Sequence, residues 1–588
     1  MADNRRLQTR ILRLTVIMLF GLLIGDLFYM QIIRHDHYRG LSLKNRQVSV
    51  RVRAPRGRIL DREGRILADN IYIADITLPR SSLTEAGCDS TLERLIDWFD
   101  LPRGELIAGL TRQRERGRSR LTVVPNASMP RIAAVEERGR ELPGAMVESR
   151  ARRRYLYGSL FAHIIGYVGE ATEHEIDAAG EGASGPVYRP GDTVGREGIE
   201  AYGEELLRGQ AGTVLHEVNA AGRNVGRNSV DLVPVVPGRD IRLTLSLDLQ
   251  DSLATAMDGR RGCAIAMDLR RGDVLAAISN PAYDPNLLTT GISAADWNEL
   301  LADPGHPFLN RLVQASYPPG SPYKVVTSLA GLQYDIVGTH TMFEPCSGSY
   351  RFGNRNFRCW KRSGHGSLDH IGALVHSCDV FYYQLGLRLE LKQIHDTALA
   401  LGLGNKVGAP FAGESAGNIP TREWYDKRFG PRGWTRGVML NNAIGQGEIL
   451  VTPLQMTVLT GRVARSGATP APRFIIDGSD PEPAYAPGTF PIDEKNLEWV
   501  RHSMEQVVDI GTGTAARLHE IEVAGKTGTA ENPHGDDHAW FICFAPVHDP
   551  QVALAIILEH AGHGGAVAAP VAARWLAAYF ASDLEGTN

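Results

Sequence analysis

Lysine is scarce in this 588-residue chain: eight positions carry it, within a Lys+Arg total of 63. A lysine inside a catalytic pattern therefore carries more information than an arginine would. Cysteine is scarce too, six residues in all, which excludes a small scaffold stapled by disulfides. No long basic run is present, and the net charge of −4 with a pI near 6.5 leaves no electrostatic footprint for nucleic acid. Solenoid repeats and low-complexity tracts are missing as well. The length itself excludes a single hydrophobic core and calls for at least two globular domains.

What the chain does have begins at its N-terminus. After Arg5, Arg6, Arg10 and Arg13, the stretch Leu14 to Ile33 is almost wholly apolar. Twenty helical residues at 1.5 Å each span a bilayer. No small-residue cleavage site follows, so the pattern predicts an uncleaved signal anchor. The preceding arginines place residues 1–13 in the cytoplasm and everything after 33 outside.

Residues 34–240 mix strand-like stretches (Val48 to Val52, Ile71 to Leu78) with charged helical ones (Thr91 to Phe99, Arg131 to Arg140) and glycine-rich turns. Arg62-Glu63-Gly64 reads as a turn between two strands, and Gly195 to Leu207 opens and carries a helical stretch. No catalytic constellation lies here. Pro234-Val235-Val236-Pro237-Gly238 is stiff and marks a boundary. Beyond it, Cys263 to Met267 and Val274 to Ile278 form a hairpin pattern about Arg270-Arg271-Gly272-Asp273. Near the far end come two more apolar strands, His538 to Phe544 and Val552 to Leu558, and an alanine-rich helix, Ala566 to Phe580. Helices and long loops lie between. The arrangement predicts an α+β domain over residues 241–583, its sheet assembled from both ends and flanked by helices, with 584–588 as a tail.

Ser321-Pro322-Tyr323-Lys324 is the sole Ser-x-x-Lys. Residues three apart share a helix face, so the lysine amine reaches the serine hydroxyl and, when neutral, takes its proton. Pro318-Pro319-Gly320 sets up the helix start. Lys526-Thr527-Gly528-Thr529 is also unique. A glycine in an edge strand permits close substrate approach, while the lysine and hydroxyls hold a carboxylate. The third element, Ser377-Cys378-Asp379, is a Ser-x-Asp pattern that also occurs at Ser229, Ser246 and Ser367. It lies in the apolar helical run Leu374 to Leu387, between the other two motifs, where a hydroxyl could relay a proton toward a leaving group; the pattern alone does not select it.

These three motifs in this order, behind an anchor and a large non-catalytic domain, resemble the class B penicillin-binding proteins. Arg56 to Ala68, Pro318 to Lys324, Gly417 to Trp424, Gly445-Gln446-Gly447 and Lys526 to Ala530 narrow the resemblance to the elongation subfamily, penicillin-binding protein 2. The resemblance implies a serine β-lactamase-like catalytic fold on an elongated, dimerisation-type pedestal. It implies an inner-membrane, periplasm-facing D,D-transpeptidase in which Ser321 attacks a D-alanyl-D-alanine stem peptide. Lys324 would act as base, Ser377 as relay and Asp379 as its support; the wider family has asparagine at that last position. Lys526, Thr527 and Thr529 would bind the terminal carboxylate beside Gly528, and the N–H groups of Ser321 and Thr529 would form the oxyanion hole. β-Lactams would acylate Ser321, and no cofactor is needed for the chemistry. Residues 34–240 accommodate no glycosyltransferase, so glycan polymerisation falls to a RodA-type membrane partner among the elongation-complex proteins. A D,D-carboxypeptidase or a β-lactam sensor is the alternative; one span with about thirteen cytoplasmic residues weighs against the sensor.

Two further patterns stand apart. Gly21 and Gly25 form a small-xxx-small face in the span, with Asp26 beside it. Cys346, Cys359, His365 and Cys378 follow Cys-x12-Cys-x5-His-x12-Cys, a soft donor set of the kind structural zinc prefers. The stretch between them, Ser347 to Gly364, lacks a clear apolar period and calls for a cross-link. A Cys346–Cys359 disulfide is the competing reading, and Glu344 a competing ligand.

Overall fold

The computed structural model describes residues 2–585 apart from 85–86, 119, 178–187, 218–229, 290–291, 479–481, 483–484, 486–487 and 533–534. Of the expected tail, residues 586–588 lie outside the described set. Among the described residues, one helix is long and apolar enough to cross a membrane, Leu7–Ile33, with a mean hydropathy of 2.1 and none of it buried by the rest of the chain.

A mixed α/β pedestal follows. Gln47–Val52 pairs antiparallel with Gly212–Glu217, which pairs with Val230–Val233. A second sheet centres on the long strand Ile66–Pro79, flanked by Ile59–Leu60, Arg120–Val124 and Met146–Tyr155. The expected turn at Arg62-Glu63-Gly64 is present. Gly64 takes a φ of +90° there, and Asp61 caps the turn by accepting from the Glu63 and Arg65 amides. Leu78, Leu92, Leu95, Leu110 and Leu121 form a separate small core under this sheet.

The catalytic domain is built on a five-stranded antiparallel sheet: β1 (Gly262–Asp268), β2 (Val274–Asn280), β3 (Ala524–Ala530), β4 (His538–Ala545) and β5 (Val552–Leu558), in the order β2-β1-β5-β4-β3. The sheet is therefore assembled from both ends of the domain, as the sequence predicts. Its central strands are continuous apolar runs because helices cover both faces. On one face pack α1 (Leu247–Met257) and the C-terminal helix Ala569–Glu585; on the other lie Pro453–Ala464 and Glu494–Asp509. Every residue of β5 is buried. Trp540 and Phe541, successive on β4, project into opposite cores and are each fully buried; each contributes roughly 1.5–3 kcal/mol of apolar burial. Strand β3 is the edge, and the catalytic elements gather along it.

Candidate active site

Gly320, in a left-handed conformation with φ +59°, turns the chain into a short 3-10 turn, Ser321–Tyr323, which continues as α2 (Lys324–Gln333). The turn is wedged. A Cβ on Gly320 would come within 2.6 Å of the Thr529 carbonyl oxygen of β3, and one on Gly445 within 2.4 Å of the Gly320 carbonyl oxygen. The Gly320 amide donates to the Gly445 oxygen at 2.9 Å, and the Gln446 side-chain amide donates to the Thr529 oxygen at 3.1 Å. Gly445-Gln446-Gly447 therefore clamps the serine turn against β3. The sequence pattern assigns Gln446 no role. Nothing in a Gly-Gln-Gly triplet says which distant carbonyl its amide will meet.

Ser321 is partly exposed, while Lys324 and Lys526 are completely buried. The motifs separated in sequence converge here. Lys324 Nζ lies 3.2 Å from Ser377 Oγ and 2.9 Å from the Ser377 carbonyl oxygen. Lys526 Nζ lies 3.0 Å from the same hydroxyl and donates to the Thr527 oxygen at 3.0 Å. The Ser377 hydroxyl thus bridges two lysine nitrogens.

Ser377 does not sit in a continuous helix, as the apolar run suggested. It occupies a joint between α3 (His370–Val375) and α4 (Asp379–Gly386), with a left-handed φ of +53°. An α-helix cannot carry that φ, so the chain breaks and turns the Ser377 side chain toward both lysines.

Asp379, first in α4, joins two separate elements. Its Oδ1 pairs with Lys324 Nζ at 2.7 Å and its Oδ2 accepts from the Trp360 amide at 2.9 Å. The indole N–H of Trp360 reaches the Ser377 oxygen at 3.1 Å. Among the described residues no carboxylate pairs directly with Lys526 Nζ, whose partners are the Ser377 hydroxyl and the Thr527 oxygen. Burial lowers its pKa well below the ordinary lysine value, the nearby Lys324 charge adds to that, and Asp379 opposes both.

Beside this joint, the Cys346, Cys359 and Cys378 sulfurs and a ring nitrogen of His365 all lie within 4.8 Å of one another. His365 Nδ1 is 3.7 Å from Cys346 Sγ and 3.5 Å from Cys359 Sγ. All six cysteines are free thiols. Hydrogen bonding from Cys378 holds the Cys359 thiol down to about 5 despite burial, and the same contact pushes Cys378 up. Glu344 is not part of the group. The stretch with no apolar period contains a hairpin, Ser349–Phe352 with Arg355–Arg358, whose register the sequence hid.

The chain is similar to known proteins over most of its length. Residues 262–577 match the family described as the penicillin binding protein transpeptidase domain, and residues 51–243 the penicillin-binding protein dimerisation domain. The chain is 33% identical over 583 residues to the peptidoglycan D,D-transpeptidase MrdA of Escherichia coli, covering 94% of this chain and 91% of that protein. Among solved structures, penicillin-binding protein 2 of Helicobacter pylori in complex with MreC superposes with a TM-score of 0.79 at 28% identity, covering 91% of this chain and 99% of that one. A structure described as a peptidoglycan synthase complex that coordinates polymerization and crosslinking matches with a TM-score of 0.72, also at 28% identity, covering 97% and 98%.

Proposed function

Because this chain belongs to the penicillin-binding protein transpeptidase family and is a membrane-anchored peptidoglycan D,D-transpeptidase of cell-wall elongation, we propose that Ser321 is its nucleophile and that Lys324, Ser377 and Lys526 form one proton-handling unit. The convergence of both lysines on the Ser377 hydroxyl carries this reading. In the free enzyme Lys324 is paired with Asp379, while burial disfavours charge on Lys526. A stem peptide bringing its terminal carboxylate to Lys526, Thr527 and Thr529 reverses that preference; Gly528, expected to admit substrate, is buried and instead makes room for the serine turn, since a Cβ there would come within 2.4 Å of Pro322 Cδ. Lys526 then takes a proton from the Ser377 hydroxyl, which takes one from Lys324, leaving Lys324 neutral to accept the Ser321 proton as Oγ attacks the D-alanyl carbonyl. The backbone N–H groups of Ser321 and Thr529 hold the developing oxyanion. The proton returns through Ser377 to the amine of the departing D-alanine, and an amine of a neighbouring stem resolves the acyl-enzyme. β-Lactams enter by the same attack.

Labelled penicillin tests the assignment. Ser321→Ala should abolish both labelling and cross-linking with the fold and membrane insertion intact; a stable adduct on the variant overturns it. Measuring released D-alanine with and without acceptor strands separates transfer from hydrolysis.

The catalytic domain, residues 241–583, and the pedestal, 34–240, are assigned to the periplasmic side of the inner membrane. The arginines before the apolar span support this orientation. Polymerisation is assigned to a RodA-type partner. Within the Leu7–Ile33 span, Gly21 and Gly25 have nothing packed on them and Asp26 is exposed, which suits a helix partner better than lipid. Co-purification with the polymerase that survives leucine at all three positions sinks that role.

The cysteine–histidine cluster fits structural zinc. Its four donors, three thiols and an imidazole, approach the roughly 3.8 Å mutual spacing that ~2.3 Å metal–sulfur bonds in a tetrahedron require. Cys346, Cys359, His365 and Cys378 would hold the ion and tie the hairpin bearing Trp360 to the joint bearing Ser377. Elemental analysis with thiol titration should find roughly one zinc per chain, lost with thermal stability in Cys378→Ala. An oxidised Cys346–Cys359 pair without metal refutes the site.

A further inference from the structure

Two side chains stand behind the carboxylate-binding strand without a part in the chemistry above. Thr527 and Thr529 are two apart on β3 and so face the same way. Thr512 Oγ1 lies 2.6 Å from Thr527 Oγ1, and His563 Nδ1 lies 3.3 Å from Thr529 Oγ1. A threonine hydroxyl has one proton to give. If that proton points back at Thr512 or His563, the oxygen presents only lone pairs to an arriving carboxylate, and the contact is repulsive. Each β3 hydroxyl can serve a carboxylate only if its rear partner is the donor, Thr512 through its O–H and His563 through Nδ1–H.

The rear partners are held there by the backbone. His563 is followed by two glycines that lie against the strands. A Cβ on Gly564 would come within 2.0 Å of the Trp540 oxygen and 2.5 Å of the Gly528 oxygen; one on Gly565 would come within 2.5 Å of the Thr512 oxygen and 3.6 Å of Thr527 Cγ2. The segment 563–565 therefore lies directly along the two hydroxyl positions and touches the turn that carries Thr512. Nothing larger than glycine permits that approach.

We propose that Thr512 and His563 are positioning residues: they orient the Thr527 and Thr529 hydroxyls so that both donate to the terminal carboxylate of the donor peptide. The inference rests on the assignment of β3 as the carboxylate site and sets its specificity for an anionic over a neutral terminus.

The test uses the full-length protein in detergent and two acyl-D-alanyl thioester donors, alike except that one leaving group ends in a carboxylate and the other in a carboxamide. The readout is the ratio of their kcat/KM values. His563→Ala and Thr512→Val should each reduce the preference for the carboxylate by about 10-fold, through loss of an oriented hydrogen bond to a charged group. His563→Asn, whose side-chain N–H can stand in for Nδ1–H, and Thr512→Ser, which keeps the hydroxyl, should restore most of the preference. A ratio unchanged in the Ala and Val variants, with both donors slowed alike or not at all, overturns the inference, as does an Asn variant no better than the Ala one. Thr529→Val run in parallel keeps the two readings apart: a carboxylate preference that survives there indicts β3 as the carboxylate site, whereas one lost there but kept in His563→Ala indicts only the positioning role.

Discussion

The pedestal and the catalytic domain each bury a cluster of charged side chains, and the two are balanced differently. In the pedestal, Glu200 accepts from Arg56 Nε at 2.5 Å and from Arg153 Nε at 2.6 Å, while Arg56 Nη2 also meets Glu204 at 2.7 Å. Two cations face two anions. Burial would raise Glu200, but Arg153 and Arg56 outweigh it and hold the carboxyl below its ordinary value. In the catalytic domain Lys324 and Lys526 face Asp379 alone. A balanced buried cluster locks geometry, here by tying residues 144 apart in sequence. One with a surplus amine leaves a proton without a fixed home, which a base catalyst needs and a scaffold does not.

The sharpest way to break this contrast is to unbalance the pedestal. Glu200→Ala leaves two arginines buried without their shared anion, and stability should fall by about 3–5 kcal/mol; melting of the purified variant reads it directly. A loss below about 1 kcal/mol would show that the cluster is not what locks the pedestal. Next is Lys526→Met, which removes the surplus amine. It should cut penicillin acylation by about 100-fold or more while raising stability by about 0.5–2 kcal/mol, the usual cost of a functional buried group. A destabilised Met variant would mean Lys526 is structural.

Asp379→Asn tests the same balance from the anion's side. The carboxylate favours charge on Lys526, so the amide should let the amine stay neutral to lower pH. The acid limb of the acylation–pH profile should move down; a limb that stays in place or moves up contradicts the shared proton. The smallest effect belongs between the two domains, where His163 packs against Tyr283 and its Nε2 lies 3.5 Å from the Pro281 oxygen. Burial holds His163 down to about 4, with Arg311 adding to the shift. The folded protein keeps this imidazole neutral while the unfolded chain protonates it below about 6.5. Its stability contribution is therefore intact above that pH and declines as pH falls toward 4. His163→Phe should flatten that part of a melting-temperature profile.

How much of this was legible in the sequence depended on range. Strands β1, β2, β4 and β5 announced themselves as apolar runs bounded by turns, and the three motifs kept their order. Ser377 was found by context, yet its left-handed joint was hidden, because Leu374 to Leu387 is apolar enough to pass for one helix. Asp379 reads in sequence as a departure from the family's asparagine that changes the local charge, and its partner Lys324 is visible only in the fold. Gln446 and Glu200 act on atoms far away in sequence, and no local periodicity encodes such partners. His563 and Thr512 were missed for the same reason, although the glycines beside them were a signal that backbone passes close.

The order of strands in the catalytic sheet also has a consequence for how the protein comes into being. Strand β1 pairs with β5, so Gly262 meets Leu558, a contact separated by just over half the chain. The pedestal can complete its buried cluster once Glu204 has been synthesised. The sheet cannot close until the last strand has followed, and Lys526 and Thr529 have no fixed place beside Ser321 before that. N-terminal units fold first during synthesis, and pairings so distant along the chain are slow to form. The nascent protein is thus anchored and standing on its pedestal while still unable to acylate, and a chain cut short before β5 holds Ser321, Lys324 and Ser377 but has no finished site in which to use them.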